Sequence, residues 1–474
     1  MTNKIFTNGL DRHMKNLPFS LDWQNWIQTS VEQGCDKNII FKILLDEGFE
    51  YNHIKDVLEF KPTIPIDKIV NPTKRLEKTQ EQELPKITVG TSELFLPNAQ
   101  KFESDEIEFY QLDDFLNEDE CEKLISLTKA EMRDSSLDYD YEPDEYYRTS
   151  STCYFNPLND EYVEEIDRRI CAIMGIDPDF TESMQGQHYE VGQEFKSHVD
   201  YFGIEDLETS NKELGQRSYT FMIYLNDVEE GGETSFPKIQ KTITPKRGQA
   251  VVWNSITSEG KSNPNTLHQA HPIKKGSKTV ITKWFRTRAG LPAFLREKSE
   301  IIPNLTKAGF KKHKLPKALF NKVTKFYHDN LEAKVDEKMQ GENINTIGSA
   351  LVDLPQSLKD ELHNSLKSRL EAWCGVKLEP TDIDGIRIYP NGATLPEHRY
   401  SADTQTISAI INIDQQVNEE WPLVIEDNYC RKHEIILRPE EIVFYEGARL
   451  FHSHPKPLNG TGFANIYCHY KPVF

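Results

Sequence analysis

Several residue classes are scarce in this chain. Of its 474 residues only seven are cysteines (Cys35, Cys121, Cys153, Cys171, Cys374, Cys430 and Cys468), and no two form a C-x-x-C pair. Scattered and odd in number, they exclude a disulfide framework or a zinc finger as the organising device. No run of about 18 apolar residues occurs, so no segment reads as a membrane-spanning helix. The start, MTNKIFTNGLDRHMKNLPFS, lacks the apolar core of a secretory signal, and a reducing cytoplasm is the expected compartment. Positive charge is also short: 56 Lys and Arg face 76 Asp and Glu, a net charge of −20. Nucleic-acid binding through a basic surface is therefore not expected. What remains is an acidic chain long enough for two or three domains with packed cores.

Residues 1–62 predict a small helical module. DWQNWIQTSVEQG carries Trp23, Trp26, Ile27 and Val31 at helical spacing. Asp36 is placed to cap KNIIFKILLDEG, Gly48 to end it, and NHIKDVLEF supplies a third helix. Gly48, Phe49 and Ile54 loosely resemble the GF-x-x-x-x-I pattern of ubiquitin-associated three-helix modules; the expected role is docking or structural, with no ligand assigned. Residues 63–105, rich in Pro, Lys, Glu and Gln, read as a linker. IEFYQLDDFL then reads as a strand. Asn117 and Glu120 stand at capping-box positions for the helix that follows. NDEYVEEIDRRICAIMG gives another helix, ending near Gly175.

The stretch from 187 to 285 carries the chemistry. His198 and Asp200 are spaced as H-x-D, which on a strand points both side chains to one face. TFMIYL is an apolar strand, EEGGETSFP a turn with a glycine pair, and TPKRGQAVVWN a second turn and strand. LHQAHP then brings His268, with His271 a rival three residues on. H-x-D alone is common on exposed strands; its weight here comes from strands and turns alternating around three candidate ligands, as in a small β-barrel. Two imidazoles and one carboxylate occupy one face of a metal and leave positions open, as non-haem Fe(II) oxygenases require.

From FYQLDDFLNEDECEKLI and YYRTSSTCYF through to KW, roughly residues 107–288, the chain resembles the prolyl 4-hydroxylase type of 2-oxoglutarate- and Fe(II)-dependent oxygenase. The motifs are Y-x8-H-x-D, YLNDVEEGGET, LH, and a lysine ten positions past the distal histidine. The resemblance implies an α+β fold over 106–289, a double-stranded β-helix (jelly-roll) core braced by helices. It implies Fe(2+) held by His198, Asp200 and His268. It makes Lys278 the partner of the far carboxylate of 2-oxoglutarate, Tyr189 a further contact, and Thr234 a support of the sheet edge near the iron. A compact ammonium suits that carboxylate, which would otherwise be buried unpaired. Lys274, Lys275 and Lys283 are rival cations, expected at the surface. Arg148, Ser150, Glu182, Arg217 and Trp284 fall at substrate-side positions; the residues alone leave Trp284 equally readable as a core aromatic.

The implied activity is hydroxylation of a C–H bond, most simply C4 of a peptidyl proline, coupled to conversion of 2-oxoglutarate to succinate and carbon dioxide, with L-ascorbate as reductant. The implied partner is a proline-containing peptide or protein, and the polar stretches 134–147 and 203–215 are candidate substrate loops. Rival readings are a hydroxylase of a free amino acid or another side chain, and a non-catalytic scaffold sensing 2-oxoglutarate or oxygen. A zinc hydrolase is poorer, since no general base is placed by motif.

Residues 290–474 begin with a basic stretch, KAGFKKHKLPK, expected as a solvated connection, and LPQSLKDELHNSLKSRLEAWCG, an amphipathic helix ending at Gly375. The chain then repeats itself. Tyr389 stands nine residues before His398, as Tyr189 does before His198, and Gly392 matches Gly192. TISAIINID mirrors YTFMIYLND, and His452 in FHSHP mirrors His268. This predicts a second, degenerate jelly-roll domain. Tyr400 stands where Asp200 would be, and Gly462 lies ten past His452, so 2-oxoglutarate chemistry is not expected there. Asp403 is a poor substitute by its odd offset, and Arg387 and Arg399 are candidate carboxylate binders. The expected role is structural, substrate-presenting, or homodimer-forming.

Overall fold

The computed structural model describes residues 19, 21–32, 37, 40–41, 44, 49–62, 94–130, 132–134, 148–155, 160–203, 207, 214–257, 260–288, 294–295, 300–337 and 348–473. The chain divides into two compact units: 1–92 with 99–171 and 175–295, and 93–98 with 172–174 and 296–474.

Near the N-terminus, helices α1 (Leu21–Glu32) and α2 (Tyr51–Leu58) are present. Ile27, Ile40, Phe41, Leu44, Ile54 and Leu58 form a small core, with Trp23 packed against it. Val31 departs from the expected apolar face and is 37% exposed. Glu59 adopts the left-handed conformation and ends α2. Asp36, Gly48, the side chain of Trp26 and linker residues 63–93 lie outside the described residues.

The first unit's strands are β1 (Gln100–Lys101), β2 (Phe109–Leu112), β3 (Arg133–Asp134), β4 (Ser151–Tyr154), β5 (Gln185–Tyr189), β6 (Phe195–His198) and β7 (Arg217–Tyr224). They continue as β8 (Glu230–Gly231), β9 (Thr234–Phe236), β10 (Lys241–Ile243), β11 (Ala250–Asn254), β12 (His268–Ala270), β13 (Ile273–Lys275) and β14 (Lys278–Arg286). The large sheet runs β1-β2-β11-β7-β14-β5-β4-β3 and the small one β10-β9-β12-β6. Between them lies one core, to which Met222, Tyr224, Trp253 and Val280 come from the large sheet and Phe236, Ile243 and Ala270 from the small. Two antiparallel sheets closing on shared inward faces make a jelly-roll.

Helices α3 (Glu118–Ala130) and α4 (Glu161–Met174) cover the large sheet, so β7 and β14 are buried along almost their whole length. Alternation sends Phe221 outward, where it meets Phe115 at 5.1 Å between ring centroids. The capping box forms: Asn117 N donates to Glu120 Oε2 at 2.8 Å, and Glu120 N to Asn117 Oδ1 at 2.9 Å. Gly186 lets α3 approach β5, since a Cβ there would meet Thr128 Oγ1 at 2.7 Å. In the EEGGE turn Gly231 has φ +79°, and a Cβ would meet the Pro272 carbonyl oxygen at 2.4 Å.

The second unit contains β15 (Phe310–Lys314), α5 (Lys317–Asp329), β16 (Val335–Asp336), β17 (Ala350–Val352), α6 (Gln356–Cys374), β18 (Leu378–Pro380), β19 (Ile386–Tyr389), β20 (Leu395–His398) and β21 (Ile407–Val417). After them come β22 (Leu423–Glu426), β23 (Lys432–Ile435), β24 (Glu441–Tyr445), β25 (His452–His454) and β26 (Gly460–Pro472). Its sheets run β15-β24-β21-β26-β19-β17-β16 and β20-β25-β22-β23. In chain order this reproduces β2-β11-β7-β14-β5-β4-β3 and β6-β12-β9-β10 of the first unit. On α6, Leu358, Leu362, Leu366 and Leu370 make one buried stripe, and Gly375 closes the helix at φ 77°. The stretch expected as a solvated connection is instead edge strand β15. Its His313 packs on Phe444 while Lys311, Lys312 and Lys314 face solvent, charges that keep an open edge from pairing with another chain. No described helix is long and apolar enough to cross a membrane.

Candidate active site

His198 ends β6 and His268 begins β12, and the two are direct antiparallel partners. Their ring centroids are 4.1 Å apart. Asp200 follows β6, and one ligand atom from each of the three residues lies within 4.8 Å of the others. Among the described residues no other group of three His, Cys, Asp or Glu does so. All three are buried.

The backbone sets how each ligand points. His198 Nδ1 donates to the Lys196 carbonyl at 2.7 Å, and His268 Nδ1 to the Thr266 carbonyl at 2.9 Å. Each ring thus carries its proton on Nδ1 and presents an Nε2 lone pair, the form a metal needs. Phe195 stacks on His198 at 3.5 Å, and Phe236 and Trp253 pack on His268 at 5.3 and 4.9 Å. Burial, with His268 alongside, pushes His198 well below the ordinary histidine range, so its imidazole is neutral. Thr220 donates to Asp200 Oδ2 at 2.6 Å, while Oδ1 stands 4.0 Å from His198 Nε2. Burial works to raise Asp200, but the two histidines, Arg217 and the Thr220 hydroxyl outweigh it and hold the carboxyl below its usual range. Two imidazoles and an anionic carboxylate are a donor set that fits Fe(II).

The same cavity holds Lys278, Tyr189 and Thr234. Lys278 opens β14 opposite Tyr189 on β5. Its ammonium is 1% exposed, donates to the Gly232 carbonyl at 2.9 Å and lies 4.5 Å from the centre of the Tyr189 ring. It forms no salt bridge with any described carboxylate. Burial lowers it to about 7, with Glu233 opposing. Tyr189 donates to Gln187 Oε1 at 3.0 Å, and Thr234 Oγ1 accepts from Tyr224 at 2.7 Å.

The substrate-side candidates divide. Arg148 and Trp284 line the cavity, and the Trp284 indole N–H is buried with no hydrogen-bond partner. Ser150 is buried beside Arg148, accepting from its Nε at 3.3 Å. Arg217 is held between the Phe202 and Trp284 rings, 4.7 and 4.0 Å from their centres. Glu182 binds Arg217 through two bonds of 2.7 Å and Arg286 at 2.9 Å, which makes it a brace for that guanidinium; neither Glu182 nor Arg217 lines the cavity itself. His271 faces elsewhere and bonds Ser235 Oγ at 2.7 Å. Of the rival lysines, Lys274 and Lys275 are exposed, but Lys283 is buried and pairs with Asp167 at 2.6 Å. Residues 135–147 and most of 203–215 lie outside the described residues.

Reading by motif missed Thr220, the hydroxyl on Asp200, and Gln187, whose amide donates to Gln185 Oε1 at 2.8 Å and Thr282 Oγ1 at 3.3 Å. Strand alternation could have found Thr220. It shares an inward face with Met222 and Tyr224, in a strand otherwise apolar enough to make a buried hydroxyl conspicuous.

Jelly-roll, donor set and buried lysine together define a 2-oxoglutarate- and Fe(II)-dependent oxygenase domain, and residues 184–286 match the model of the 2OG-Fe(II) oxygenase superfamily. The chain is 37% identical over 194 residues to "Probable prolyl 4-hydroxylase 8" of Arabidopsis thaliana, covering 36% of this chain and 66% of that one. It is 30% identical over 200 residues to human "Prolyl 4-hydroxylase subunit alpha-1", covering 41% of this chain and 37% of that one. Among solved structures it is similar to the viral collagen prolyl hydroxylase vCPH from Paramecium Bursaria Chlorella virus-1 in its 2OG complex. That match has 27% identity, 38% of this chain, 96% of that chain and a TM-score of 0.31. Over this domain the chain is similar to prolyl 4-hydroxylases, and it spans less than two thirds of the length of these relatives.

Proposed function

We propose that the first unit hydroxylates C4 of a proline in a peptide or protein, using Fe(2+) and 2-oxoglutarate. The observation that carries this reading is Lys278, a buried ammonium with no described carboxylate to pair with, in the cavity of the His198, Asp200 and His268 cluster. A dicarboxylate held at the metal end would complete it. His198, Asp200 and His268 would hold the iron, and bound iron with 2-oxoglutarate supplies oxidative decarboxylation to succinate. The chain's own work is positional. The Lys196 and Thr266 carbonyls fix the imidazole tautomers, Thr220 aims the carboxylate, and Lys278 with Tyr189 and Thr234 seats the cosubstrate. Aromatic rings around the histidines keep water from the metal's protein side.

In this reading Arg148, Ser150, Arg217 and Trp284 receive the peptide, and the unpartnered Trp284 N–H is a ready donor to a peptide carbonyl. L-ascorbate serves as reductant and the cytoplasm as compartment. The second unit is a degenerate double-stranded β-helix without 2-oxoglutarate chemistry, acting in structure, substrate presentation or homodimerisation; its repeated strand order supports this. Strand register also corrects the lysine position. Phe463, not Gly462, stands opposite Tyr389 as Lys278 stands opposite Tyr189, and it is an apolar buried residue. The connection before it is one residue longer, so counting ten from His452 falls short. Asp403 sits in an exposed turn. Arg387 already pairs with Glu337 at 2.7 Å, which leaves it poorly placed for a ligand carboxylate.

The test supplies the purified full chain with Fe(II), 2-oxoglutarate and a panel of proline-containing peptides, and measures succinate together with oxygen incorporation into peptide. Succinate matched by hydroxyproline supports the reading. Succinate matched by hydroxylation of another residue, or no turnover with any peptide, overturns it.

A further inference from the structure

The second unit preserves one part of the first unit's site and loses the rest. His398 ends β20 and His452 begins β25, and they are direct antiparallel partners, as His198 and His268 are. Their ring centroids are 4.3 Å apart at 51° between planes, against 4.1 Å and 55° in the first unit. His398 Nδ1 donates to the Pro396 carbonyl at 2.8 Å and His452 Nδ1 to the Leu450 carbonyl at 3.0 Å. In all four histidines the carbonyl two residues upstream takes the Nδ1 proton and leaves Nε2 as a lone pair. At His452 that lone pair is stranded. The residue is 3% exposed and its Nε2 has no hydrogen-bond partner in the protein, so the lone pair is open to water or an ion. His398 is half-buried and gives a path from solvent.

We infer that His398 and His452 form a binding site for a divalent transition-metal ion, independent of 2-oxoglutarate. Imidazole suits Zn(2+), Ni(2+) and Cu(2+), and with no described carboxylate completing the pair the affinity order follows imidazole preference, Cu(2+) strongest. Tyr400 replaces the carboxylate, its ring 4.7 Å from that of His452, and Phe463 replaces the lysine. His454 is on the same face of β25 but is stacked on Trp421 at 3.9 Å, and among the described residues no third His, Cys, Asp or Glu ligand atom joins the pair within 4.8 Å. The protein supplies two donors; water or an exogenous ligand supplies the others. Tyr400→Asp would restore the missing donor type at the position Asp200 holds in the first unit.

The experiment uses the full chain without an affinity tag, carrying His198→Ala and His268→Ala to silence the first site, and titrates Ni(2+) by calorimetry. The expected result is one residual equivalent that is lost in His452→Gln and His398→Ala. Tyr400→Asp should tighten it tenfold or more, and saturating 2-oxoglutarate should leave it unchanged. The Cu(2+)-loaded double variant, unaltered in the second unit, should show electron-spin coupling to two imidazole nitrogens. No saturable binding in a folded double variant, binding that survives loss of either histidine, or a Cu(2+) spectrum without nitrogen coupling would each overturn the inference.

Discussion

Replacing Lys278 by methionine should move stability and cosubstrate binding in opposite directions. In the ligand-free protein the ammonium is buried against one carbonyl and one aromatic ring, with Glu233 acting only at a distance. Burial takes it from the ordinary 10.5 to about 7. The unfolded chain keeps its proton up to about pH 10.5, whereas the folded one releases it near 7. Between those values the unfolded state binds more protons, so stability of the ligand-free protein rises with pH across that window and is least below pH 7. The full span corresponds to about 5 kcal/mol. Methionine fills similar space without charge, though it leaves the Gly232 carbonyl unpaired at roughly 1–3 kcal/mol. The variant should therefore gain about 2–4 kcal/mol at pH 6 and lose the rise in stability between pH 7 and 10. Meanwhile 2-oxoglutarate would be buried without its cation, a loss of about 3–5 kcal/mol, or at least a hundredfold in affinity. Thermal unfolding of ligand-free protein at pH 6 and 9, and calorimetry of 2-oxoglutarate with Mn(2+) in place of iron, measure the two effects. A variant that melts lower at pH 6, or that binds 2-oxoglutarate as tightly as before, would refute the reasoning.

Three other outcomes are expected. Thr220→Val frees Asp200 from its 2.6 Å hydrogen bond and should weaken Mn(2+) binding ten- to a hundredfold, with Thr220→Ser restoring it; equal affinity in all three would remove Thr220 from the account. Glu182→Gln loosens the clamp on Arg217, and should raise the KM for peptide while leaving that for 2-oxoglutarate unchanged. Leu366→Ala opens a cavity in the stripe under the second unit's sheet and should destabilise that unit by about 2–5 kcal/mol, read by hydrogen exchange on 356–374.

The legible parts of the sequence were those where local chemistry and fold agree. The apolar run at 220–225, the Asn117–Glu120 box and the leucine stripe of α6 each state their structure in a few residues. The pairing of His198 with His268 is not local; only the family motif spacing joins residues 70 positions apart, and the register that places them opposite each other comes from the sheet. The bracing role of Glu182 was not legible because a charge near the substrate side reads alike whether it faces the cavity or neutralises two arginines. Lys283 was misjudged because burial of a lysine depends on a partner, Asp167, that is 116 residues away. The basic stretch at 307–317 looked like a connection because exposed edge strands carry lysine for reasons that mimic a solvated loop.

The most direct measurement quantifies succinate and hydroxyproline together in one reaction, with Fe(II) and a peptide that serves as substrate, for the native chain and for Asp200→Ala. Equal amounts of both products from the native chain, and neither from the variant, are predicted. Undiminished turnover by Asp200→Ala would contradict the assignment of His198, Asp200 and His268 as the iron site.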